Sequence, residues 1–287
     1  MSAWRRWWLT PLSTARIAWL RTLLYLFVIY DATLLVNIVP HGFVPAELYQ
    51  PVLLPRLLGH PAPTPLWVHT LQVVLLASAA IAATGRLPRV AGWTVALAYL
   101  DWQLIAMSYG KIDHDKLALL VAVWVLPTAG VARFRDRMAS EAAGFAIRCI
   151  QVATVATYFL SAWAKMRWGG WGWANGATFT WAMSRRGTGI GKMLLEYPQL
   201  LKLSQWGVLL AEVLSPLLLV LRGRLLAAGL LFFGCFHLAT WLAIRIHFLP
   251  TAVCLLAFVP LERIPELVRR VGRYMSTRIR RAPTWSR

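Results

Sequence analysis

The sequence predicts an all-α, polytopic membrane bundle of about eight transmembrane helices with both termini in the cytoplasm. Three observations predict it. Apolar runs close to the length of a bilayer span recur along the whole chain, and soluble domains lack them. Of 287 residues, 59% are hydrophobic and 14% charged, with a mean hydropathy of +0.57, whereas a soluble domain carries about 25% charged residues. Lysine and arginine also gather on alternate inter-helix segments, as the positive-inside rule requires.

Residues 1–15 form an interfacial segment, because Trp4, Trp7 and Trp8 surround Arg5 and Arg6 and both side-chain types suit the headgroup layer. Residues 16–260 form one transmembrane domain. Its first helix, from Arg16 to about Val39, is too long for a signal-peptide core and lacks a cleavage site, so it is read as retained. Seven spans follow near Leu66–Ala83, Val90–Ser108, Lys116–Val131, Phe145–Trp163, Leu203–Leu221, Leu225–Ile244 and His247–Pro260. Pro40–Pro65 reads as a proline-rich loop and Thr84–Arg89 as a tight turn. No internal repeat is visible.

One side of these spans receives Arg5, Arg6, Arg16, Arg86, Arg89, the arginines from Arg133 to Arg148, Arg222, Arg224 and eight arginines after Pro260. The other receives about half as many basic groups, which orients the chain. The tail, residues 261–287, is expected to be a basic cytoplasmic helix on anionic lipid. A formal net charge of +19 is thereby assigned to the lipid bilayer, not to nucleic acid. Cys149, Cys235 and Cys254 lie in apolar runs without CxxC or Cys/His ligand spacing. That pattern excludes a disulfide framework, a thiol redox motif and a zinc site, and no metal is expected.

Ionisable groups inside a membrane cost about 2.5–3.5 kcal/mol each at a helix centre, so each needs a reason. Gln151, Thr154, Tyr158, Ser161 and Lys165 recur at spacings of 3, 4, 3 and 4, which places them on one stripe of the fifth span. Such a stripe faces the bundle interior or a cavity. Lys165 precedes a loop with Trp168, Trp171 and Trp173, where a lysine snorkelling to an aromatic belt is the plain reading. On the same side stand His114, within Lys111–Lys116, His247, Glu196 and Asp101. Deeper lie His237 and Trp241 on one face of the seventh span, and Glu212 midway along the sixth. A carboxylate at that depth needs a positive or hydrogen-bonding partner. Arg21 and Asp31 read as structural, pairing with groups on neighbouring helices. No P-loop, GxSxG, HExxH or dinucleotide fingerprint is present.

From Tyr158-Phe-Leu-Ser-Ala-Trp-Ala-Lys165, followed by Trp173-Ala-Asn-Gly176, the chain resembles the bacterial horizontally transferred transmembrane (HTTM) family, which includes the membrane domain of vitamin K-dependent gamma-glutamyl carboxylase. Arg21 with Asp31, His114, Phe236-His237 and Ala257-Phe258 with Pro260 fit further pieces in the family's order. The resemblance runs from about Arg16 to Pro260. It implies Lys165 as the base that deprotonates a quinol (vitamin K hydroquinone or menaquinol), with His114 assisting. Tyr158, Ser161, Trp163, His237, Trp241 and Glu212 would line the quinol pocket. A lysine serves as base only as the free amine, a form that exclusion from water favours. The carboxylase carries a large luminal region after its membrane helices, which this sequence lacks. Carboxylation of a protein would then need another subunit.

The leading expectation is a quinol-linked, carboxylase-like (lyase-type) enzyme of a bacterial inner membrane, with its site at the outer face. It requires the Lys165 amine and the His114 ring to converge within about 4–6 Å in a cavity. The alternative is a non-catalytic membrane partner or maturation factor for a secreted peptide. Transport ranks lower, because transporters commonly show two matching halves and helices broken at the midplane.

Overall fold

The computed structural model describes residues 2–266 and residue 269. Among them the regular structure is helical apart from one short antiparallel ladder, Leu12–Ser13 (β1) against Ala139–Ser140 (β2). The helices in order are α1 (Ala3–Trp8), α2 (Thr14–Tyr30), α3 (Leu53–Leu57), α4 (Pro65–Ala83), α5 (Val90–Met107), α6 (Leu117–Val125), α7 (Glu141–Gly169), α8 (Ala177–Arg186), α9 (Gly189–Met193), α10 (Pro198–Leu214), α11 (Gly223–Ile244) and α12 (Leu249–Cys254). The expected basic tail lies almost wholly outside the described residues.

Among the described residues, five segments are long and apolar enough to cross a membrane: Thr14–Leu35, α4, α5, α7 and α11. The first reaches 22 residues because α2 continues into a π-helical turn at Asp31–Leu35. Local chemistry sets where helices begin. Thr64 caps α4 by accepting from the Trp67 N–H, with Pro65 opening the first turn. Ser140 caps α7 by accepting from the Ala143 N–H, and Glu141 follows in the first turn.

The other three expected spans are shorter helices, and proline accounts for two of them. A proline has no N–H to continue the helical ladder. At Pro127, α6 tightens into a 3-10 turn, Leu126–Ala129. At Pro216, α10 does the same over Ser215–Leu219. Following Phe248, α12 and its 3-10 continuation cover only Leu249–Phe258. The segment between α7 and α10 is no simple loop, since α8 and α9 occupy most of it.

Helices α2, α4, α5, α6 and the first half of α7 share one apolar core built on Leu24, Tyr25, Leu75, Tyr99, Trp102 and Leu119. Alanines such as Ala79, Ala82, Ala96, Ala122 and Ala146 let the backbones approach closely. The second half of α7 packs on α10 and its 3-10 turn, while α11 packs on α8, α9 and α12. Here the core divides into three small clusters, and the space between them is a cavity. Most of α11 presents exposed Leu225, Leu231, Phe232 and Leu238 outward, a surface suited to lipid.

Both ends of the domain meet at one end of the bundle. Arg16 donates twice to the Glu262 carboxylate, at 2.8 and 2.7 Å, and Thr14 donates to Asp136 and to the Met138 carbonyl. At the opposite end, the proline-rich segment is pinned in place. Trp102 donates to the Val36 carbonyl at 2.7 Å. Asp101 accepts from Trp67 Nε1 at 3.1 Å and pairs with His60 at 2.9 Å. Asp101 is therefore occupied by this segment.

Candidate functional site

The α7 stripe is the site's foundation, but its five residues do different work. Gln151 accepts from Arg148 at 2.8 Å and donates to the Ala257 carbonyl at 2.9 Å, and Thr154 donates to its own helix at Ile150. Those two are structural. Tyr158, Ser161 and Lys165 continue the stripe along the wall of a cavity of about 560 Å³, within the range of small-molecule sites.

Lys165 Nζ lies 2.5 Å from both carboxylate oxygens of Glu212, and Ser161 Oγ donates more weakly to Oε1 at 3.4 Å. The partner that a carboxylate at this depth requires is thus the stripe's own lysine. The Trp173 ring centroid stands 5.0 Å from the same ammonium, a favourable cation–π contact in a dry site. Trp173 is itself held to α10, because its carbonyl accepts from the Gln205 amide.

Further along the wall, the Tyr158 hydroxyl and His237 Nε2 are hydrogen-bonded at 2.7 Å, and the Tyr158 ring stacks on Phe233 at 4.2 Å. The other ring nitrogen of His237, Nδ1, is buried with no partner among the described residues. His114 reaches the same cavity from the 3-10 turn His114–Lys116 that precedes α6. Phe248 stands between the two histidines, with ring centroids 6.2 Å from His114 and 6.0 Å from His237. Burial pushes the His114 imidazole below its ordinary value, and Lys111 and Lys165 lower it further against the opposing pull of Asp115. His114 is therefore neutral at pH 7, with one nitrogen free to accept.

That turn is anchored from behind by a buried ion pair. Lys116 Nζ meets Asp31 Oδ1 at 2.5 Å, while Tyr99 and Gln103 donate to Asp31 Oδ2 at 2.7 and 3.0 Å. The Asp115 carbonyl also accepts from Thr251 Oγ1 at 2.9 Å. Arg21, in contrast, has no acidic partner among the described residues and donates to the carbonyls of Gly130 and Ala132.

Phe179, Met183, Ile190 and Leu194 from α8, α9 and the turn after them close the cavity over. This cover is fastened to the end of α11, where Thr188 Oγ1 donates to the Leu242 carbonyl at 2.6 Å. The remaining walls are mostly apolar, interrupted by Asp115 beside His114 and by the hydroxyls of Thr157, Thr178, Ser204, Thr240 and Thr251.

Six of the eight residues singled out from the sequence line this cavity: Lys165, His114, Tyr158, Ser161, His237 and Glu212. Trp163 and Trp241 do not, and their expected place in the pocket is corrected. Trp163 lies two residues from both Ser161 and Lys165, which turns it about 200° around the helix, and it is 56% exposed. Trp241 ends α11 with its ring under the Arg245 guanidinium, 5.4 Å away, and is 41% exposed. His247 and Glu196 also lie off the cavity wall. Sequence reasoning missed Ser204 and Val208, which share Glu212's face of α10 at spacings of four, and Thr240 beside His237 on α11. The four-residue spacing leading to Glu212 was the available signal.

Chemically, the arrangement is a hydrogen-bonded ammonium–carboxylate pair at the edge of an apolar chamber. In such surroundings the pair gains from attraction but loses hydration. Among the described residues no group of three or more His, Cys, Asp or Glu side chains is placed to hold a metal ion. No family model matches the chain, and no curated protein or solved structure matches it.

Proposed function

We propose that this chain is a multi-pass membrane enzyme that binds an isoprenoid quinol in the cavity between α7, α10 and α11 and accepts a proton from it at the Lys165–Glu212 pair. In this reading the chain is an HTTM-family protein of a bacterial inner membrane. It crosses the bilayer about eight times, the short segments at α6, α10 and α12 counting as spans, with the Arg16–Glu262 end in the cytoplasm. The observation that carries the proposal is the Lys165–Glu212 pair on the wall of an otherwise apolar chamber.

The residues present suit such a ligand. Phe179, Met183, Leu201 and Phe248 offer apolar surface for a ring and the first part of a tail, and hydroxyl, imidazole and amine groups offer polar contacts. A bound quinol would supply a weakly acidic hydroxyl on a reducing aromatic ring. Lys165 acts as base once its own proton has passed to Glu212, which leaves a neutral amine beside a neutral acid. Ser161 and Trp173 hold the two groups in register, and Trp173 favours the ammonium that forms when the amine accepts the ligand's proton. Neutral His114, which lines the same cavity, accepts a hydrogen bond from the ligand and so orients the ring.

The test is quenching of tryptophan fluorescence by menaquinone and its reduced form, using the full chain in mild detergent. Trp173 lines the cavity, so occupancy reports directly. Saturable quenching that weakens about tenfold, or about 1.4 kcal/mol, in Lys165→Ala and Glu212→Gln is the expected result. Absence of saturable quenching by either form overturns the proposal and favours the maturation-factor reading, to be pursued by co-purification.

A further inference from the structure

We propose that the Arg16–Glu262 end of the bundle carries a binding site for one anionic phospholipid headgroup, formed by Arg148 and Arg222 beside the α1 indoles. The site is remote from the Lys165 cavity and does not depend on its chemistry.

The starting observation is a cation without a counter-charge. Arg148 is only 9% exposed, yet its protein partners are neutral: the Gln151 side-chain oxygen at 2.8 Å and the Trp7 ring at 4.6 Å. Its Nε is buried with no partner among the described residues. None of the ion pairs among those residues involves Arg148 or Arg222. The sequence after Glu266 contains no Asp or Glu.

Folding also brings a second arginine to this part of the bundle. The 3-10 turn Ser215–Leu219, which ends three residues before Arg222, packs on α7, where Ser215 Oγ donates to the Val155 carbonyl at 3.3 Å. Arg16 is neutralised by its two hydrogen bonds to Glu262, whereas exposed Arg222 makes only a 3.5 Å contact to the Leu221 carbonyl. Neither the Arg148 nor the Arg222 guanidinium group has an acidic partner among the described residues. Burying an uncompensated charge is costly, and a phosphodiester matches the paired N–H donors of arginine.

The surroundings select a lipid over a soluble phosphate. Trp7 and Trp8 pack edge to face at 5.0 Å, and Trp8 reaches Phe145 at 6.0 Å. Phe145 lies one turn before Arg148 on α7, and exposed Leu225 opens α11 next to Arg222. Acyl chains leaving a phosphate held at Arg148 would run down this indole and aliphatic surface, as the interface of a bilayer demands.

The experiment titrates the detergent-purified full chain with short-chain phosphatidylglycerol, short-chain phosphatidylcholine and inorganic phosphate, reading the thermal transition and lipid retention in native mass spectra. Expected is stabilisation by phosphatidylglycerol alone, with the apparent Kd rising about tenfold in Arg148→Gln and in Arg222→Gln, and unchanged in Arg86→Gln. Arg86 is an exposed arginine at the same end of the bundle. Arg222 is exposed too, so its variant carries the test should Arg148→Gln fail to fold. An equal loss in Arg86→Gln would reveal diffuse attraction and overturn the site. Equal stabilisation by inorganic phosphate would overturn the lipid assignment, and equal response to phosphatidylcholine would overturn both.

Discussion

At the scale of single residues, Lys165 and Glu212 are each other's reason for being tolerated. Removing either one leaves the other charged and without its counter-ion in an apolar wall, which costs about 3–5 kcal/mol for a buried pair. Lys165 retains some access to the cavity, with 22% of its side chain exposed against 7% for Glu212. The loss should therefore be larger for Lys165→Met, which strands the carboxylate, than for Glu212→Gln, which keeps a hydrogen-bond acceptor. The double variant Lys165→Met/Glu212→Leu should recover most of it, as a double-mutant cycle on chemical denaturation in detergent would reveal. Additive losses would mean that the pair is not coupled. Glu262 gives a second residue-level prediction. Burial opposes its ionisation, but the Arg16 hydrogen bonds outweigh this and hold the carboxyl below its ordinary value. Stability from this bond is therefore present above the unfolded carboxyl's range, near about 4.3, and is lost as pH falls through the lower folded value. Melting curves between pH 3 and 7 should show that Glu262→Gln lowers the transition temperature at pH 7 and makes no difference at the acid end. Part of this chemistry is legible in the sequence. Lys165 and Glu212 each stand out as ionisable groups in apolar runs, yet their pairing joins helices 47 residues apart, and no local pattern records such a contact. Lys116 makes the same point, because its partner, Asp31, is 85 residues away and no local pattern marks that contact.

At the scale of elements, periodicity carried the information and prolines limited it. The stripe on α7 follows from a 3.6-residue repeat, and the structure places its upper half on the cavity wall. The same rule applied to Trp163 points away from that wall. Segments around Pro127 and Pro216 satisfy a hydropathy window, which is blind to the missing N–H that converts their ends to 3-10 turns. The cover made by α8 and α9 was invisible because its few apolar residues sit among arginines and glycines. One glycine there serves close approach. A Cβ on Gly191 would stand 2.2 Å from the Ala243 carbonyl oxygen, and backbone on both sides leaves nothing flexible to move. Gly191→Ala should lift α9 from the end of α11, destabilising the protein by about 1–3 kcal/mol, as overpacking typically does. Because Ile190 and Leu194 flank this contact and line the cavity, ligand quenching should weaken together with the thermal transition. Gly189→Ala provides the control, since nothing lies near its added Cβ. An unchanged transition in Gly191→Ala would refute the tight contact.

Across the whole molecule, one rigid apolar core and one loosely filled half are joined through α7 and the His114–Lys116 turn. The first half packs continuously, while the second is divided among small clusters around the cavity. His114 stands on the loose side of this division, and Lys116, two residues later, is fixed in the rigid side by Asp31. Asp31 accepts from three donors on two other segments, Tyr99 and Gln103 of α5 and Lys116, and the π-helical turn that begins at Asp31 lies at the end of α2. A carboxylate so surrounded positions His114 through Lys116 without touching the cavity. Asp31→Asn keeps the hydrogen-bond acceptor for Tyr99 but removes the charge opposite Lys116, so it should cost about 3–5 kcal/mol. Pairing it with Lys116→Met should restore most of that stability, since no uncompensated ammonium remains. Restoration of stability need not restore the site, because the turn loses its tether. The double variant should therefore melt near the wild-type temperature yet bind menaquinol more weakly, by about the tenfold expected of a displaced histidine contact. Full recovery of both readouts would show that the ion pair only fills a hole in the rigid half. Recovery of stability alone would mean that the buried carboxylate of the rigid core sets the geometry of the cavity beside it.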